Sequence, residues 1–288
     1  MRAIEVGVLG ATGVVGQQFV LRLAAHPWFR LTWLAASERS EGKVYKSVAP
    51  WRLATPVPDD AAGRVVEPCV PGRGPKVVFS GLDASVAGDI ESAFAAAGHI
   101  VVSNARNFRM DPLVPLLIPE VNADHLTLVA EQRAGKGWPG AIVTNPNCST
   151  IVLALALAPL CPFDVRAVVV STMQAVSGAG YPGVPSLDIL GNVVPFIGGE
   201  EEKMESETRK ILGRDGGRAV HPMIISAHTN RVPVIDGHTM TVSVDLGARP
   251  TPDEVVAALR DFKGRPQELN LPSAPQPAIV VMDQPNRP

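Results

Sequence analysis

A glycine-rich turn near the start of the sequence limits the fold more than any other feature. It follows an apolar run of strand length, Ile4–Leu9, and precedes a helix that we predict over residues 17–25. Strand, glycine turn and helix in this order are typical of the first unit of a doubly wound parallel sheet. The turn reads G-x-x-G-x-x-G, one residue longer between its first two glycines than the usual dinucleotide-binding turn.

Each of the three glycines suits a bound dinucleotide. Gly10 would make the tight turn, Gly13 would let a pyrophosphate approach the backbone, and Gly16 would let the helix pack closely on the strand. The turn alone leaves a second interpretation open, in which it only connects a strand to a helix.

The pattern of strands and helices changes once along the chain. Further strands at 31–36, 77–80, 99–103 and 141–143, with a helix at 84–97, predict an α/β, Rossmann-like doubly wound parallel sheet. From residue 166 onward, longer strands at 167–173, 223–226 and 240–245, helical or loop segments at 187–194 and 200–212, and an amphipathic helix at 252–263 predict an α+β domain. We therefore predict two domains, 1–147 and 148–288, with the change at the loop before Cys148.

Composition excludes several classes of function. The net charge of −2 gives no basic surface for nucleic acid or anionic lipid, and no apolar run is long enough to span a membrane. The N-terminus lacks the apolar region of a signal peptide. Three cysteines without metal-ligand spacing indicate neither a disulfide framework nor a metal site. We expect a cytoplasmic protein with reduced thiols, no metal, and no nucleic-acid or membrane partner.

Cys148 is the candidate nucleophile. It lies between an apolar strand-like run and an apolar helix-like run, in the sequence NPNCST. A thiol in the first turn of a helix faces unpaired N–H groups and the positive end of the helix dipole, and both favour the thiolate. The alternative is a small buried residue without a chemical role.

Three further segments carry polar residues at positions suited to a site. Ser37, Arg39 and Ser40 follow the second strand and suit the 2′-phosphate of NADP, although Glu38 beside them leaves a plain solvated loop open. Gln174 ends a strand before a glycine turn and could hydrogen-bond an oxyanion. Arg231 could bind a carboxylate, and His238, seven residues on, could carry a proton. Taken singly, each of these segments also fits an ordinary turn, a surface arginine or a structural histidine.

Taken together, these segments closely resemble the aspartate-β-semialdehyde dehydrogenases, particularly their archaeal and fungal branch. The matching strings occur in order and span about residues 4 to 245: GATGVVGQ, SNARNFRMDPLVPLLIPEVN, NPNCST, STMQAVSGAGYPGVPSLDILGNVVPFIGGEEEKMESETRKILG and NRVPVIDGHT. The resemblance implies a Rossmann-like NADP-binding domain followed by a catalytic and dimerisation domain.

The resemblance also implies a role for each candidate residue. Cys148 would be the nucleophile, His238 the general acid and base, and Gln174 an assistant at the thiohemiacetal. The implied substrate contacts are the α-carboxylate with Arg231, the α-amine with Glu200, the phosphate with Arg109 and Lys203, and positioning by Asn147. The implied NADP site comprises Gly10, Thr12, Gly13, Val14, Gly16, Ser37, Arg39, Ser40, Ser80 and Gly178.

Three expectations complete the resemblance. The chain should form a homodimer or homotetramer and act on β-aspartyl phosphate, aspartate semialdehyde and phosphate. Family members continue beyond the position of Pro288 with a helix that packs on the cofactor domain; we expect that helix to be absent here, exposing apolar surface. Two alternatives stay open: an NADPH-dependent acyl-CoA reductase of the malonyl-CoA type, and a truncated, non-catalytic nucleotide-binding subunit. N-acetylglutamyl-phosphate reductases fit the motifs less well.

Overall fold

The structure is a computed structural model that describes residues 3–284 and 286. It divides into two compact units: the chain up to Leu116 with Leu126–Asn145, and Leu117–His125 with the chain from Pro146 onward. The outer ends of the two predicted domains, at residues 1, 2, 287 and 288, lie outside the described residues.

Strands and helices alternate through the first half of the chain and then give way to longer strands. The strands are β1 Ile4–Leu9, β2 Phe29–Ala36, β3 Glu67–Pro68, β4 Val77–Ser80, β5 Ile100–Ser103, β6 Ala141–Thr144, β7 Val165–Gln174, β8 Ile224–Arg231 and β9 His238–Leu246. The helices are α1 Val14–Ala24, α2 Tyr45–Val48, α3 Asp59–Ala62, α4 Ala84–Ala96, α5 Pro119–Asn122, α6 Leu128–Lys136, α7 Cys148–Leu157, α8 Ser186–Ile189, α9 Glu200–Ile211, α10 Pro252–Asp261 and α11 Arg265–Glu268.

The first unit is built on a parallel sheet. Within its described residues, six strands lie in the order β3-β2-β1-β4-β5-β6, and every pair is parallel. The order reverses at β1, as in a doubly wound sheet, and confirms the predicted fold class. Val6, Val8 and Leu9 of β1 are fully buried because helices cover both faces of such a sheet.

The second unit contains a mixed sheet in the order β8-β7-β9. β7 pairs parallel with β8 and antiparallel with β9, and the register places Gln174 opposite both Arg231 and His238. These three residues form one row across the sheet, which we call the catalytic row after the roles that the sequence predicts for them. Residues directly opposite in register share a face of the sheet, so the three side chains point to the same side.

Helices α7 and α9 pack against the buried face of this sheet. Leu153 and Leu157 of α7, Met204 of α9 and Val168 and Val170 of β7 belong to one buried apolar cluster. The opposite face is open: Val169 is 52% exposed and Ile224 is 73% exposed. The unit therefore has one packed face, toward which the catalytic row points, and one exposed face.

Glutamates of α9 also bind the outer edge of β8. Oε1 of Glu205 accepts a hydrogen bond from the backbone N of Ala227 (3.2 Å), and Oε1 of Glu201 accepts one from that of Thr229 (3.0 Å). An edge strand exposes N–H groups that can pair with another chain. The two carboxylates satisfy these groups from within the same chain.

The predicted elements differ from the observed ones mainly at their ends, whereas β3, α2, α3, α5, α6 and α11 were not predicted. α1 begins at Val14, three residues before the prediction, because Gly16 lies inside the helix although glycine usually marks an end. β8 continues past Ser226 to Arg231. More exposed and buried residues alternate in this extension, as in a strand with one exposed face. Within residues 3–284, no helix has the length and apolar character that crossing a bilayer requires.

Candidate active site

Cys148 is the first residue of α7, and Asn147 caps that helix. The Asn147 side-chain oxygen accepts hydrogen bonds from the backbone N of Ser149 (3.0 Å) and Thr150 (3.2 Å). Asparagine is a favoured N-cap because its side chain binds N–H groups that have no partner within the helix. Pro146 disfavours a helical conformation before the cap. The thiol therefore lies at the positive end of an ordered helix, as the motif predicts.

Cys148 and His238 form the chemical centre of the second unit. Sγ of Cys148 lies 3.1 Å from Nε2 of His238. Burial and the charge of Glu200 act to raise the pKa of Cys148, but the hydrogen bond and charge of His238, with the Ser149 amide, outweigh them and lower it. The same hydrogen bond raises the pKa of His238 against the opposing effect of its burial. The pair favours a thiolate beside an imidazolium, the nucleophilic form of cysteine.

The backbone fixes the orientation of the His238 ring. Nδ1 lies 2.9 Å from the carbonyl oxygen of Gly237 and 3.2 Å from the backbone N of Ala175. Gly237 has a φ of +91°, a conformation that favours glycine. With Nδ1 held by backbone groups, Nε2 is the nitrogen that faces the thiol.

Arg231 and Gln174 complete the catalytic row. Arg231 is 5% exposed, and its Nη1 donates a hydrogen bond to the carbonyl oxygen of Ala175 (2.8 Å). Burial lowers the pKa of Arg231, while the nearby charges of Glu200 and Cys148 raise it. Gln174 is 1% exposed, and its Nε2 lies 3.4 Å from Oγ1 of Thr172. The row brings an amide, a guanidinium and an imidazole together, as a carboxylate-bearing substrate would require.

Glu200 connects the start of α9 to the helix that carries the nucleophile. Its Oε1 accepts a hydrogen bond from Nζ of Lys203 (2.7 Å), and its Oε2 accepts one from Nδ2 of Asn147 (2.8 Å). A carboxylate has about four acceptor positions, so each oxygen can still accept another donor. Glu200 is buried, whereas Lys203 is half-buried.

A cavity of about 350 Å³ opens at the sulfur of Cys148. The cavity leaves Cys148 partly exposed, although neighbouring atoms desolvate its thiol. The cavity is also lined by Val152, Ser177, Gly178, Gly237 and His238. A Cβ atom added at Gly178 would lie 2.7 Å from Nη1 of Arg231 and 3.1 Å from Cε1 of His238. Gly178 therefore belongs to the wall of this cavity, where a larger residue would displace Arg231 and His238.

The glycine turn of the first unit leaves the N-terminus of α1 open. Gly10 has a φ of +69°, and Gly16 has no room for a Cβ because of the carbonyl oxygen of Gly10. Gly13 is the N-cap, and no side chain caps α1. Thr12 precedes it, with its carbonyl accepting a hydrogen bond from Gln17, and Val14 is the first helical residue. Such a helix start presents backbone N–H groups to an anion.

A second cavity, of about 730 Å³, belongs to the first unit and lies beyond the end of β2. Ser37, Glu38 and Arg39 line one part of it, and Cys69 and Arg73 line another. Two guanidinium groups beside a serine suit a phosphate. The sequence analysis missed Arg73; the signal was one arginine in the glycine-rich turn PGRGP, whose position beside β2 depends on the fold.

Three other predicted site residues of the first unit are buried. Ser40 is 9% exposed and Arg109 is 8% exposed, with Nη2 of Arg109 donating a hydrogen bond to the carbonyl of Asn104 (3.0 Å). Ser80 is fully buried and lies near the carboxyl group of Glu91 in α4. Their predicted contacts with phosphate and cofactor remain predictions.

Comparisons with known proteins agree with this geometry. The family model for the "Semialdehyde dehydrogenase, NAD binding domain" matches residues 5–129, and the "Semialdehyde dehydrogenase, dimerisation domain" matches residues 157–288. The chain is 50% identical over 287 residues to the aspartate-semialdehyde dehydrogenase of Archaeoglobus fulgidus, covering 99% of this chain and 82% of that protein. The corresponding Schizosaccharomyces pombe enzyme is 47% identical over 296 residues, with 99% and 83% covered.

Solved structures give the same result. The aspartate semialdehyde dehydrogenase of Candida albicans, crystallised with NADP, matches with a TM-score of 0.90 and 44% identity, covering 100% of this chain and 84% of that one. Aspartate semialdehyde dehydrogenase II of Vibrio cholerae matches with a TM-score of 0.71 and 27% identity, covering 91% and 80%.

Proposed function

The chain belongs to the semialdehyde dehydrogenase family, and from that membership we propose how its residues serve an NADP-dependent aspartate-semialdehyde dehydrogenase. The enzyme interconverts β-aspartyl phosphate and aspartate β-semialdehyde, a step of lysine, threonine and methionine biosynthesis. The observation that carries the proposal is the 3.1 Å contact between Cys148 Sγ and His238 Nε2, in a row with Gln174 and Arg231.

In the reductive direction Cys148 acts first. Its thiolate attacks the acyl carbon of β-aspartyl phosphate, the C–O bond to phosphate breaks, and a thioester forms on Sγ. When bound, NADPH supplies the hydride that reduces the thioester carbonyl. His238 donates the proton that turns the resulting oxyanion into a thiohemiacetal hydroxyl. It takes that proton back as the C–S bond breaks and the semialdehyde leaves.

The other residues of the second unit orient the substrate. Arg231 binds the α-carboxylate through its planar guanidinium, and Glu200 binds the α-ammonium group. Lys203 contacts the phosphate, and the resemblance assigns the same ligand to Arg109. Gln174 hydrogen-bonds the oxygen of the thiohemiacetal. Asn147 acts through the helix cap, because its side-chain atoms already bind Ser149, Thr150 and Glu200.

The residues of the first unit fit NADP. The open start of α1 and the glycine turn suit the pyrophosphate, and the cavity lined by Ser37, Arg39 and Arg73 suits the 2′-phosphate. Gly178 of the second unit serves the nicotinamide end.

We also propose a homodimer or homotetramer located in the cytoplasm. The match to a dimerisation domain supports association. The open face of the β8-β7-β9 sheet, with Val169 and Ile224 exposed, offers a surface for it.

The experiment that tests the function is phosphate-dependent reduction of NADP⁺ with aspartate semialdehyde, followed at the absorbance of NADPH. We expect turnover that requires phosphate and is lost on alkylation of Cys148. Cys148→Ser should lose turnover by orders of magnitude yet still be stabilised by NADPH, since the open helix start and the second cavity lie in the other unit. Wild-type activity in Cys148→Ser would contradict the proposal.

The same assay separates the alternatives. Reduction of NADP⁺ that requires coenzyme A instead of phosphate would indicate an acyl-CoA reductase. Stabilisation by NADPH without turnover under either condition would indicate a non-catalytic nucleotide-binding subunit.

A further inference from the structure

Two carboxylates of α9 hold the residue that precedes the nucleophile. Glu200 and Glu207 are seven residues apart, about two helical turns, and so lie on one face of α9. Oε2 of Glu200 accepts a hydrogen bond from the side-chain nitrogen of Asn147 (2.8 Å). Oε2 of Glu207 accepts one from the backbone nitrogen of Asn147 (2.7 Å). The sequence analysis did not identify Glu207, and the proposed reaction does not use it.

These contacts leave Asn147 a single orientation. Its backbone N–H is bound by Glu207, its side-chain nitrogen by Glu200, and its side-chain oxygen by the amides of Ser149 and Thr150. Exchanging the side-chain oxygen and nitrogen would set a carbonyl against a carboxylate and N–H groups against N–H groups. Cys148 follows directly, so the direction of its Cα–Cβ bond depends on how Asn147 is held.

We infer that Glu207 is a positioning residue for the nucleophile. By holding the backbone of Asn147, it fixes the first turn of α7 so that Sγ of Cys148 meets Nε2 of His238 and the Ser149 amide. The inference deepens the proposed function and rests on it. Glu207 acts through Asn147, whose backbone nitrogen it binds.

A carboxylate binds the backbone of Asn147 more strongly than a neutral side chain would. Glu207 is 2% exposed, so its hydrogen bond to this N–H is shielded from water. The bond is charge-assisted and therefore stronger than one from the N–H to a neutral amide. Its negative charge also lies near the start of α7, where it stabilises the helix dipole.

A positioning role of Glu207, a role through its charge alone and a purely structural role predict three different results for its substitution. If Glu207 positions the nucleophile, removing its side chain disturbs the Cys148–His238 contact, and the pKa of Cys148 rises. If it acted only through its charge, removing that charge would favour the thiolate and lower this pKa. If it were only structural, unfolding would become easier while the reactivity of Cys148 stayed unchanged.

The test compares Glu207→Ala and Glu207→Gln with a matched pair at Glu205. Glu205 lies on the same helix and also accepts a hydrogen bond from a backbone nitrogen, but that nitrogen belongs to Ala227 in β8. Three quantities are measured: the melting temperature, the pH dependence of Cys148 alkylation by iodoacetamide, and kcat and KM in the phosphate-dependent assay. Mass spectrometry identifies the alkylated residue, with Cys148→Ser as the blank.

We expect Glu207→Ala to move the alkylation profile to higher pH and to lower kcat by about ten- to a hundredfold with KM nearly unchanged, since a small misplacement of a reacting group costs this much. The Glu207→Gln side chain can still accept the hydrogen bond, so this variant should keep most of the wild-type alkylation profile and most of the wild-type kcat. The Glu205 variants should change only the melting temperature. If Glu207→Ala does not fold, Glu207→Asp, which withdraws the carboxylate by one methylene, should give the same shift.

Two outcomes would overturn the inference. One is a wild-type alkylation profile and kcat in a folded Glu207→Ala or Glu207→Asp protein. The other is a shift to lower pH in both Glu207→Ala and Glu207→Gln. Because alkylation needs no turnover, these outcomes are distinct from failure of the proposed function, which would appear as an inactive wild-type protein.

Discussion

The contact between Cys148 and His238 shifts the pKa of each residue in the direction opposite to the effect of burial. Burial alone would raise the pKa of Cys148, and the hydrogen bond and charge of His238 reverse that effect. The pKa of His238 is raised by the same contact. Both shifts favour the pair of thiolate and imidazolium. Protonation of the thiolate in acid or deprotonation of the imidazolium in base would remove the proposed nucleophile or the proposed proton donor, so kcat/KM should follow a bell-shaped pH profile.

Replacing His238 should separate the two effects. In His238→Gln we expect Cys148 to lose the charge that lowers its pKa, so that burial dominates and the thiolate forms only at higher pH. The alkylation rate of Cys148 as a function of pH measures this, with His228→Gln as the control, because His228 is exposed on the open face of the sheet. An unchanged alkylation profile in His238→Gln would contradict the assigned pairing.

A substitution at Gly178 would test how closely the cavity wall is packed. A methyl group at this position would meet Nη1 of Arg231 at 2.7 Å and Cε1 of His238 at 3.1 Å. We expect Gly178→Ala to displace both and to lower kcat/KM by about a hundredfold, as for other small displacements of reacting groups. Gly198→Ala is the matched control, because a methyl group there meets its nearest neighbour, Phe196, only at 4.0 Å. Equal activity of the two variants would count against the arrangement.

At the scale of elements, α4 carries a buried acid onto the ends of two strands. Ser80 of β4 and Ser103 of β5 are paired in register, and Oγ of Ser103 donates a hydrogen bond to Oε1 of Glu91 (2.8 Å). Burial raises the pKa of Glu91, although the nearby hydroxyls of Ser80 and Ser103, of which Ser103 donates the hydrogen bond, oppose this. The folded protein therefore retains the proton of Glu91 to a higher pH than the unfolded chain does.

The raised pKa of Glu91 predicts a pH-dependent effect on stability. As pH rises from the unfolded pKa toward the folded one, the unfolded chain ionises first, so this group lowers the free energy of unfolding. Glu91→Gln removes the effect. We expect the variant to be more stable than wild type at neutral pH. The difference should shrink as the pH falls and vanish in acid, where Glu91 is protonated in both the folded and the unfolded state. Urea unfolding at several pH values measures it, with Asp89→Asn on the exposed side of α4 as the control.

The sequence predicted the elements better than their arrangement. Alternation of strands and helices identified the doubly wound sheet, and β1 and β4 have the predicted bounds. The residues of the catalytic row were identified singly, but register depends on hydrogen bonds between strands that are distant in sequence, so the row itself was not predictable. Glu207 was missed for the same reason: as one of many charged residues in α9, it has no local pattern that indicates a contact with Asn147.

At the scale of the whole molecule, the open face of the β8-β7-β9 sheet is the candidate association surface. Val169 projects from its central strand and is 52% exposed. We expect Val169→Glu to weaken self-association about tenfold or more, because a charge buried at an interface without a partner is costly. Sedimentation velocity over a concentration series measures this. Val65→Glu, at a site 50% exposed in the first unit, is the control, and identical association of both variants would argue for a different surface.

The catalytic row also determines where this enzyme can tolerate changes of length. The chain leaves the row at Gln174 and re-enters it at Arg231, after a stretch with exposed residues such as Tyr181, Leu187 and Phe196. Changes of length confined to the exposed segment around Leu187 leave the row intact, since ladder hydrogen bonds set the spacing of its members, whereas Gly178, α9 and β8 in the same stretch must keep their places. One residue added within β7 would turn Gln174 to the opposite face. Loop grafting in this stretch is therefore a practical route to new substrate preferences on an unchanged catalytic framework.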